Sequence, residues 1–300
     1  MNLKELVAQA TAQLSEAGVS FGHGTTNAAD EAAWLVLHAL GMPLDTGLAH
    51  EDIESNRAIA PEEYARVATL LGARISTRKP AAYLTQEAWL QGVPFYVDER
   101  VIVPRSLIAE LLVDGSIDYW LKESTHHVLD LCTGNGSLAI LAAMVYPDVD
   151  VTGADISADA LAVAHINVDK HQLQDRVQLL ESDGLRKVVG VFDLVLCNPP
   201  YVNAKSMAAL PAEYLAEPFI ALDGNQAGGS GDGMDFIRTM LADLSSKLSE
   251  DGVLVLEIGN EREFFEVAFP ELEVVWLETS AGEDQVLLLT RDALERFQQP

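Results

Sequence analysis

The chain has 300 residues, is 49% hydrophobic, and carries 46 acidic against 19 basic side chains, for a formal net charge of −27. That is enough chain for one large core or two domains and too much for a disulfide-stapled miniature, and so acidic a balance opposes a nucleic-acid surface and favours a basic macromolecular partner. The opening Met1-Asn2-Leu3-Lys4-Glu5 has no basic or apolar leader and the longest apolar run, Leu138 to Tyr146, falls short of a membrane span, so a cytoplasmic protein with no membrane contact and no direct nucleic-acid binding is expected.

Helical spacing of Leu3, Leu6, Val7, Ala10 and Leu14, stopped by Gly18, predicts a first amphipathic helix. Asn27 can cap a second helix carrying Trp34, Leu35 and Leu37 before Gly41 and Pro43, and a third starts at Pro61 and ends near Pro80. Residues 1–82 therefore read as a small helical domain. Over 83–103 the period changes: Ala88-Trp89-Leu90 and Pro94-Phe95-Tyr96-Val97 flank Gln91-Gly92, which predicts a β-hairpin linker. Pro104-Arg105-Ser106 is expected to open a helix through Ile108 and Leu112.

From His127 strands and helices alternate: Val128-Leu131, a helix from Ser137, Val149-Ala154, a helix from Ala158, Val177-Leu180, Val191-Leu196, a helix from Met234, Val253-Ile258, then Glu273-Leu277 and Gln285-Thr290. Such alternation predicts, for 104–300, an α/β domain with a mostly parallel sheet closed by a final antiparallel pair, its ligand at the carboxyl ends of the strands. Cys132 and Cys197 form no disulfide framework and read as small buried hydrophobes, and the seven histidines lack ligand spacing, with His165 and His171 on a solvated helix, so no metal is expected.

Two strand ends carry the chemistry. The run Val191 to Cys197 breaks at Asn198-Pro199-Pro200-Tyr201, where the prolines remove backbone donors and leave the Asn198 side-chain oxygen and the Pro199 carbonyl as converging acceptors beside the flat ring of Tyr201. This corner suits a planar amine or amide nitrogen. Earlier, Asp130-Leu131-Cys132-Thr133-Gly134-Asn135-Gly136-Ser137 joins a strand to a helix through small residues, as a nucleotide loop does, and Asp155 ends the next strand where it can accept from ribose hydroxyls. The loop also satisfies the dinucleotide pattern; Asp130 before the turn, Asp183 after the third strand within reach of an adenine amino group, and the Asn-Pro-Pro-Tyr corner favour S-adenosylmethionine over NAD.

Taken together, the loop, Asp155, Asp183 and Asn198-Pro199-Pro200-Tyr201 resemble class I methyltransferases acting on the nitrogen of a planar group, among them adenine-specific DNA methyltransferases and protein glutamine methyltransferases. Val103-Pro104-Arg105-Ser106, Leu210-Pro211-Ala212-Glu213-Tyr214 with Glu217-Pro218, Gly231-Asp232-Gly233 and Glu257-Ile258-Gly259-Asn260 extend the resemblance over nearly the whole chain to the HemK/PrmC-like protein glutamine methyltransferases. Cys132 and Ser106 resemble the branch acting on the third large-subunit ribosomal protein, where the release-factor branch usually has Gly and Pro. Asn135 departs from the Ser usual in that branch, and 225–230 reads as an enlarged Gly-rich loop.

The resemblance implies a Rossmann-like, seven-stranded, mostly parallel sheet with a terminal antiparallel strand, behind a helical substrate-recognition domain and hairpin. It implies that Cys132, Thr133, Gly134, Asn135, Gly136, Asp155 and Asp183 hold S-adenosylmethionine, released as S-adenosylhomocysteine, and that Asn198, Pro199, Pro200 and Tyr201 hold the glutamine amide, with Asn198 also bordering the cofactor. Asp130 either contacts the cofactor or braces the loop. The implied substrate is a basic ribosomal protein, with release factors as the alternative and adenine in DNA as a more distant one that the charge opposes.

Overall fold

The computed structural model describes residues 1–49 and 52–298. Helix α1 (Leu3–Glu16) starts from a reciprocal cap in which the Asn2 side chain accepts the Glu5 N–H at 2.8 Å and the Asn2 N–H donates to Glu5 Oε2 at 3.0 Å. Asn27 caps α2 (Ala28–Leu40) through the N–H groups of Ala29 and Asp30, and Gly41, at φ +66°, closes it. Helices α3 (Pro61–Thr77) and α4 (Ala81–Thr85) complete the group. Leu3, Leu6 and Leu14 of α1 are buried in one cluster with Leu35 and Leu37 of α2 and Leu71 of α3; each such burial contributes roughly 1.5–3 kcal/mol.

The hairpin forms where expected, β1 (Ala88–Leu90) pairing antiparallel with β2 (Val93–Phe95) across Gln91 and Gly92, both with positive φ, as a tight two-residue turn requires. Its tip faces solvent, but Phe95 is fully buried in the core beneath the sheet. A bound is therefore set on how the hairpin sits: Asn167 accepts the Tyr96 N–H at 2.7 Å and donates to the Tyr96 carbonyl at 3.0 Å, and His171 donates to the Pro94 carbonyl at 3.0 Å. His171 thus corrects the expectation of a plain solvated helix, because the hairpin covers one side of it.

Helix α5 spans only Ile108–Val113. The expected start at Pro104 fails because the Ser106 hydroxyl and the Leu107 N–H both donate to Glu257, tying the segment before the helix to the carboxyl end of β7. The sheet then follows from β3 (His127–Leu131), β4 (Asp150–Asp155), β5 (Val177–Glu181), β6 (Phe192–Cys197), β7 (Leu248–Glu257), β8 (Val275–Thr279) and β9 (Gly282–Thr290) in the order β5-β4-β3-β6-β7-β9-β8. Strands β3 to β7 are parallel; β9 runs antiparallel between β7 and β8. Helices α6 (Ser137–Val145), α7 (Ala158–Lys170), α8 (Ala204–Met207), α9 (Asp235–Leu244), α10 (Arg262–Ala268) and α11 (Arg291–Gln298) fill the connections and the carboxyl end. Two apolar clusters lie on the two faces of the sheet, with Leu194 and Leu196 in one and Val195 and Cys197 in the other, as strand alternation demands.

Strand β7 begins five residues earlier than its apolar run. The β6 pairing slips between Phe192 and Leu194, and the Asp193 carboxylate ties the irregularity down by accepting the N–H groups of His126 and His127 and the Ser249 hydroxyl. The chain moves outward from β3 to β5 and returns to β6 on the other side of β3, so the loop after β3 and the corner after β6 meet at the reversal of strand order. Among the described residues no helix is long and apolar enough to cross a membrane.

Candidate active site

Two cavities meet at that reversal. One, of about 290 Å³, has Cys132, Gly134, Asp155, Asp183 and Pro200 in its wall; the other, of about 480 Å³, has Arg105, Pro199, Tyr201, Tyr214 and Glu257. Asn198 borders both.

The smaller cavity fits a nucleoside. Asp155 receives the Gly134 N–H on one oxygen and the Ser157 N–H on the other, each at 2.9 Å, which aims the carboxylate and leaves a lone pair on each oxygen for a diol. Burial pushes this carboxyl up against the pull of those N–H groups. Ile156 and Phe236 supply apolar walls, and Asp183, half exposed at the lip, pairs with Arg186 at 2.7 Å. The donor set and walls suit S-adenosylmethionine.

The loop divides its labour. Cys132 (φ +64°) and Gly134 (φ +54°) bring backbone to the cavity, whereas Asp130, Thr133, Asn135 and Gly136 lie buried beneath the loop, outside its lining. Asp130 accepts the Thr133 hydroxyl at 2.5 Å and the Ala139 N–H at 3.0 Å, and burial raises it to about 7. Asn135 accepts the Ser137 N–H, and its carbonyl takes a bond from Asn167 at 2.9 Å. Gly136, at φ +82°, is tightly placed: a Cβ there would stand 3.2 Å from that of Ala164. The neighbouring Cys197 thiol, then burial, push the Cys132 thiol well up, so it is neither a ready nucleophile nor a metal ligand.

At the corner, neither the Asn198 side chain nor the Pro199 carbonyl has a hydrogen-bond partner among the described residues. Tyr201 packs against Gly259, where a Cβ would lie 2.6 Å from the ring. Burial, then the Glu257 charge, push the Tyr201 hydroxyl up, so it stays a donor.

The comparisons with known proteins cover nearly the whole chain. Residues 5–85 match the model of the PrmC N-terminal domain and 114–220 that of the methyltransferase small domain. The ribosomal protein uL3 glutamine methyltransferase of Bordetella pertussis is 50% identical over 295 residues, covering 97% of this chain and 96% of that one. The chain belongs to the uL3 glutamine methyltransferase family. The members from Burkholderia pseudomallei, 49% identical over 96% of this chain and 94% of that one, and Neisseria gonorrhoeae, 46% identical over 97% and 95%, bear the same name. A methyltransferase from Pyrococcus furiosus superposes with a TM-score of 0.49 at 16% identity, over 77% of this chain and 99% of that one.

Two segments that the sequence marked only by resemblance or composition acquire contacts it did not show. The first is a strap, 210–218, that joins the helical part to the corner. Glu213 is buried and takes the Ser20 N–H at 3.0 Å, with Arg78 at 3.0 Å and Arg74 at 3.4 Å; burial alone would raise this carboxyl, but those partners hold it low. Glu217 accepts the Val103 N–H at 2.9 Å and Arg105 through both oxygens, at 2.6 and 2.8 Å, and despite burial the Arg105 charge pulls it down to about 2. A depressed carboxyl stabilises the fold above its ordinary range, so this contribution persists at neutral pH and fades only as pH falls toward 2. Tyr214, between the two, carries the Arg105 guanidinium over its ring at 5.4 Å.

The second is the Gly-rich segment, which clamps the corner from behind. Val202 donates to the Leu222 carbonyl, Gly224 to the Val202 carbonyl and Ala204 to the Gly231 carbonyl, while Asn225 links Val202 to Gly233. Gly233, at φ +80°, sits so close that a Cβ would stand 2.1 Å from the Tyr201 carbonyl oxygen. Gly233→Ala is therefore expected to displace Tyr201 and lower kcat by about 10²-fold, since a displacement near 1 Å is that costly. Steady-state kinetics with labelled methyl groups check this.

Proposed function

We propose that this chain methylates the side-chain amide nitrogen of a glutamine in ribosomal protein uL3, using S-adenosylmethionine. The observation that supports it most directly is Asn198, a side chain with no hydrogen-bond partner among the described residues, at the junction of a nucleoside-sized cavity and a second one of about 480 Å³. Asp155, Asp183 and the backbone of Cys132 and Gly134 would hold the cofactor, with Asp130, Thr133, Asn135 and Gly136 shaping the loop from beneath. When bound, that cofactor supplies an electrophilic methyl group on sulfur.

An amide nitrogen is a poor nucleophile because its lone pair is shared with the carbonyl. The Asn198 oxygen and the Pro199 carbonyl can accept both N–H groups, fix the nitrogen's direction and stabilise the positive charge that grows on it, while the Tyr201 ring excludes water. Pro200, its φ locked, holds that direction without a moving part. We further read 1–82 as the part that recognises the substrate, 83–103 as the linker and 104–300 as the methyltransferase domain. A surplus of 27 negative charges favours a basic partner such as a ribosomal protein over DNA, and such a partner fits a cytoplasmic enzyme.

The deciding experiment presents purified uL3, a peptide release factor and duplex DNA separately to the enzyme with labelled S-adenosylmethionine, and maps the product by mass spectrometry. Label on a single glutamine of uL3 is the expected result. Label on the release factor alone, or on DNA, would refute the reading.

A further inference from the structure

The corner as described cannot finish the reaction. The oxygens of Asn198 and Pro199 accept hydrogen bonds but cannot keep a proton, and a methylated amide nitrogen must lose one. Glu257 stands beside them: β6 and β7 pair up to Cys197 and Leu256, so Asn198 and Glu257 are the next residues of the two neighbouring strands, Glu257 still paired with Val286 of β9, and both line the larger cavity. Glu257 is 4% exposed. Its Oε2 accepts the Ser106 hydroxyl at 2.6 Å and the Leu107 N–H at 2.9 Å, while Oε1 has no partner among the described residues.

We propose that Glu257 is a catalytic residue that takes the proton leaving the glutamine nitrogen after methyl transfer. This rests on the reading of the site as a glutamine methyltransferase. The step balances: a carbon–nitrogen bond forms from the amide lone pair as the methyl–sulfur bond breaks, its electron pair staying on sulfur. The cationic nitrogen then gives one N–H proton to Glu257 Oε1, the N–H pair restores amide conjugation, and the protonated carboxyl returns its proton to water through the cavity.

The environment is tuned for that exchange. Burial raises the Glu257 carboxyl to about 7, against the pull of Ser106, the Leu107 and Ile108 N–H groups and the nearby Arg105 charge. Facing it are Arg105 from the segment before α5, the Tyr201 hydroxyl from the corner, and Glu261 on the same cavity wall. Tyr201 stays protonated and Arg105 stays charged, its guanidinium held up by Glu217, so the acid limb is assigned to Glu257.

Wild-type enzyme, Glu257→Gln and Ser106→Ala are to be compared in kcat over pH 5.5–9 on whichever glutamine protein the wild type methylates. The wild type should lose activity below about 7, where Glu257 is protonated; E257Q should lower kcat about 10²-fold and flatten that limb. S106A removes a bond that favours the carboxylate, so the limb should move upward by about one pH unit, a shift that a merely structural role would not produce. A carboxyl-carbon NMR titration of the enzyme without cofactor should show a resonance near 7 that vanishes in E257Q and moves upward in S106A. An E257Q enzyme with wild-type kcat and an intact acid limb would assign the limb elsewhere, to Asp130 first, and overturn the proposal while leaving uL3 methylation standing. Should E257Q not fold, an unmoved limb and resonance in S106A would overturn it equally.

Discussion

Asn198→Ala is expected to lower kcat by about 10²–10³-fold, equivalent to about 2.7–4 kcal/mol of lost transition-state stabilisation, with a far smaller change in the Kd for S-adenosylmethionine. The asymmetry follows from where the side chain stands. It borders both cavities, yet the nucleoside contacts available in the smaller one are spread over Asp155, Asp183, two apolar walls and loop backbone, whereas in the larger one this carboxamide and the Pro199 carbonyl are the pair of acceptors that the corner turns toward the amide. Because the Asn198 side chain makes no hydrogen bond among the described residues, its removal should leave the melting temperature nearly unchanged. Turnover with labelled methyl groups, calorimetric titration of the cofactor and a thermal melt together test this. A Kd that rises in step with the fall in kcat would make Asn198 a cofactor-holding residue instead.

The second large effect lies far from the corner in sequence. Arg74→Met is expected to destabilise the fold by about 3–5 kcal/mol, seen as a melting temperature lower by roughly 10 °C. Arg74 is fully buried, bonded to Glu31 at 2.7 Å, to the Ser20 carbonyl at 2.8 Å and to Glu213 at 3.4 Å. A methionine fills its volume but strands the buried Glu31 carboxylate and leaves Glu213 with Arg78 as its one remaining cation among the described residues. The triple variant E31Q/R74M/E213Q removes those charges and should recover most of the loss, because a buried ion network is expensive to break rather than intrinsically favourable. Since Glu213 precedes the cavity residue Tyr214 in the strap, R74M should also raise KM for the protein substrate while leaving cofactor Kd in place. An R74M enzyme that melts like the wild type would mean the network is not sealed from water.

Much of the fold and part of the candidate site were legible in the residues themselves. Hydrophobic spacing marked α1 to α3, Gln91-Gly92 marked the hairpin, and each strand of the sheet was seen, because period, caps and turn residues act over a few positions. The Asn-Pro-Pro-Tyr corner was legible for the same reason: two prolines end a strand wherever they occur. The short helices α4, α8, α10 and α11 were not read, being too brief for periodicity to stand out.

What the sequence determined by itself was local: which segments coil or extend, where they stop, and which chemical groups stand at the strand ends. Only the tertiary structure decided which way those groups face. Thr133 and Asn135 sit in the loop after β3 yet turn inward, Asn135 being fastened by Asn167, 32 positions away, and Glu217 meets Arg105 across 112 positions. Such pairings join segments that come together only when the sheet closes, and burial then compels each polar group to find whichever partner the closure delivers, an outcome that no short-range pattern encodes.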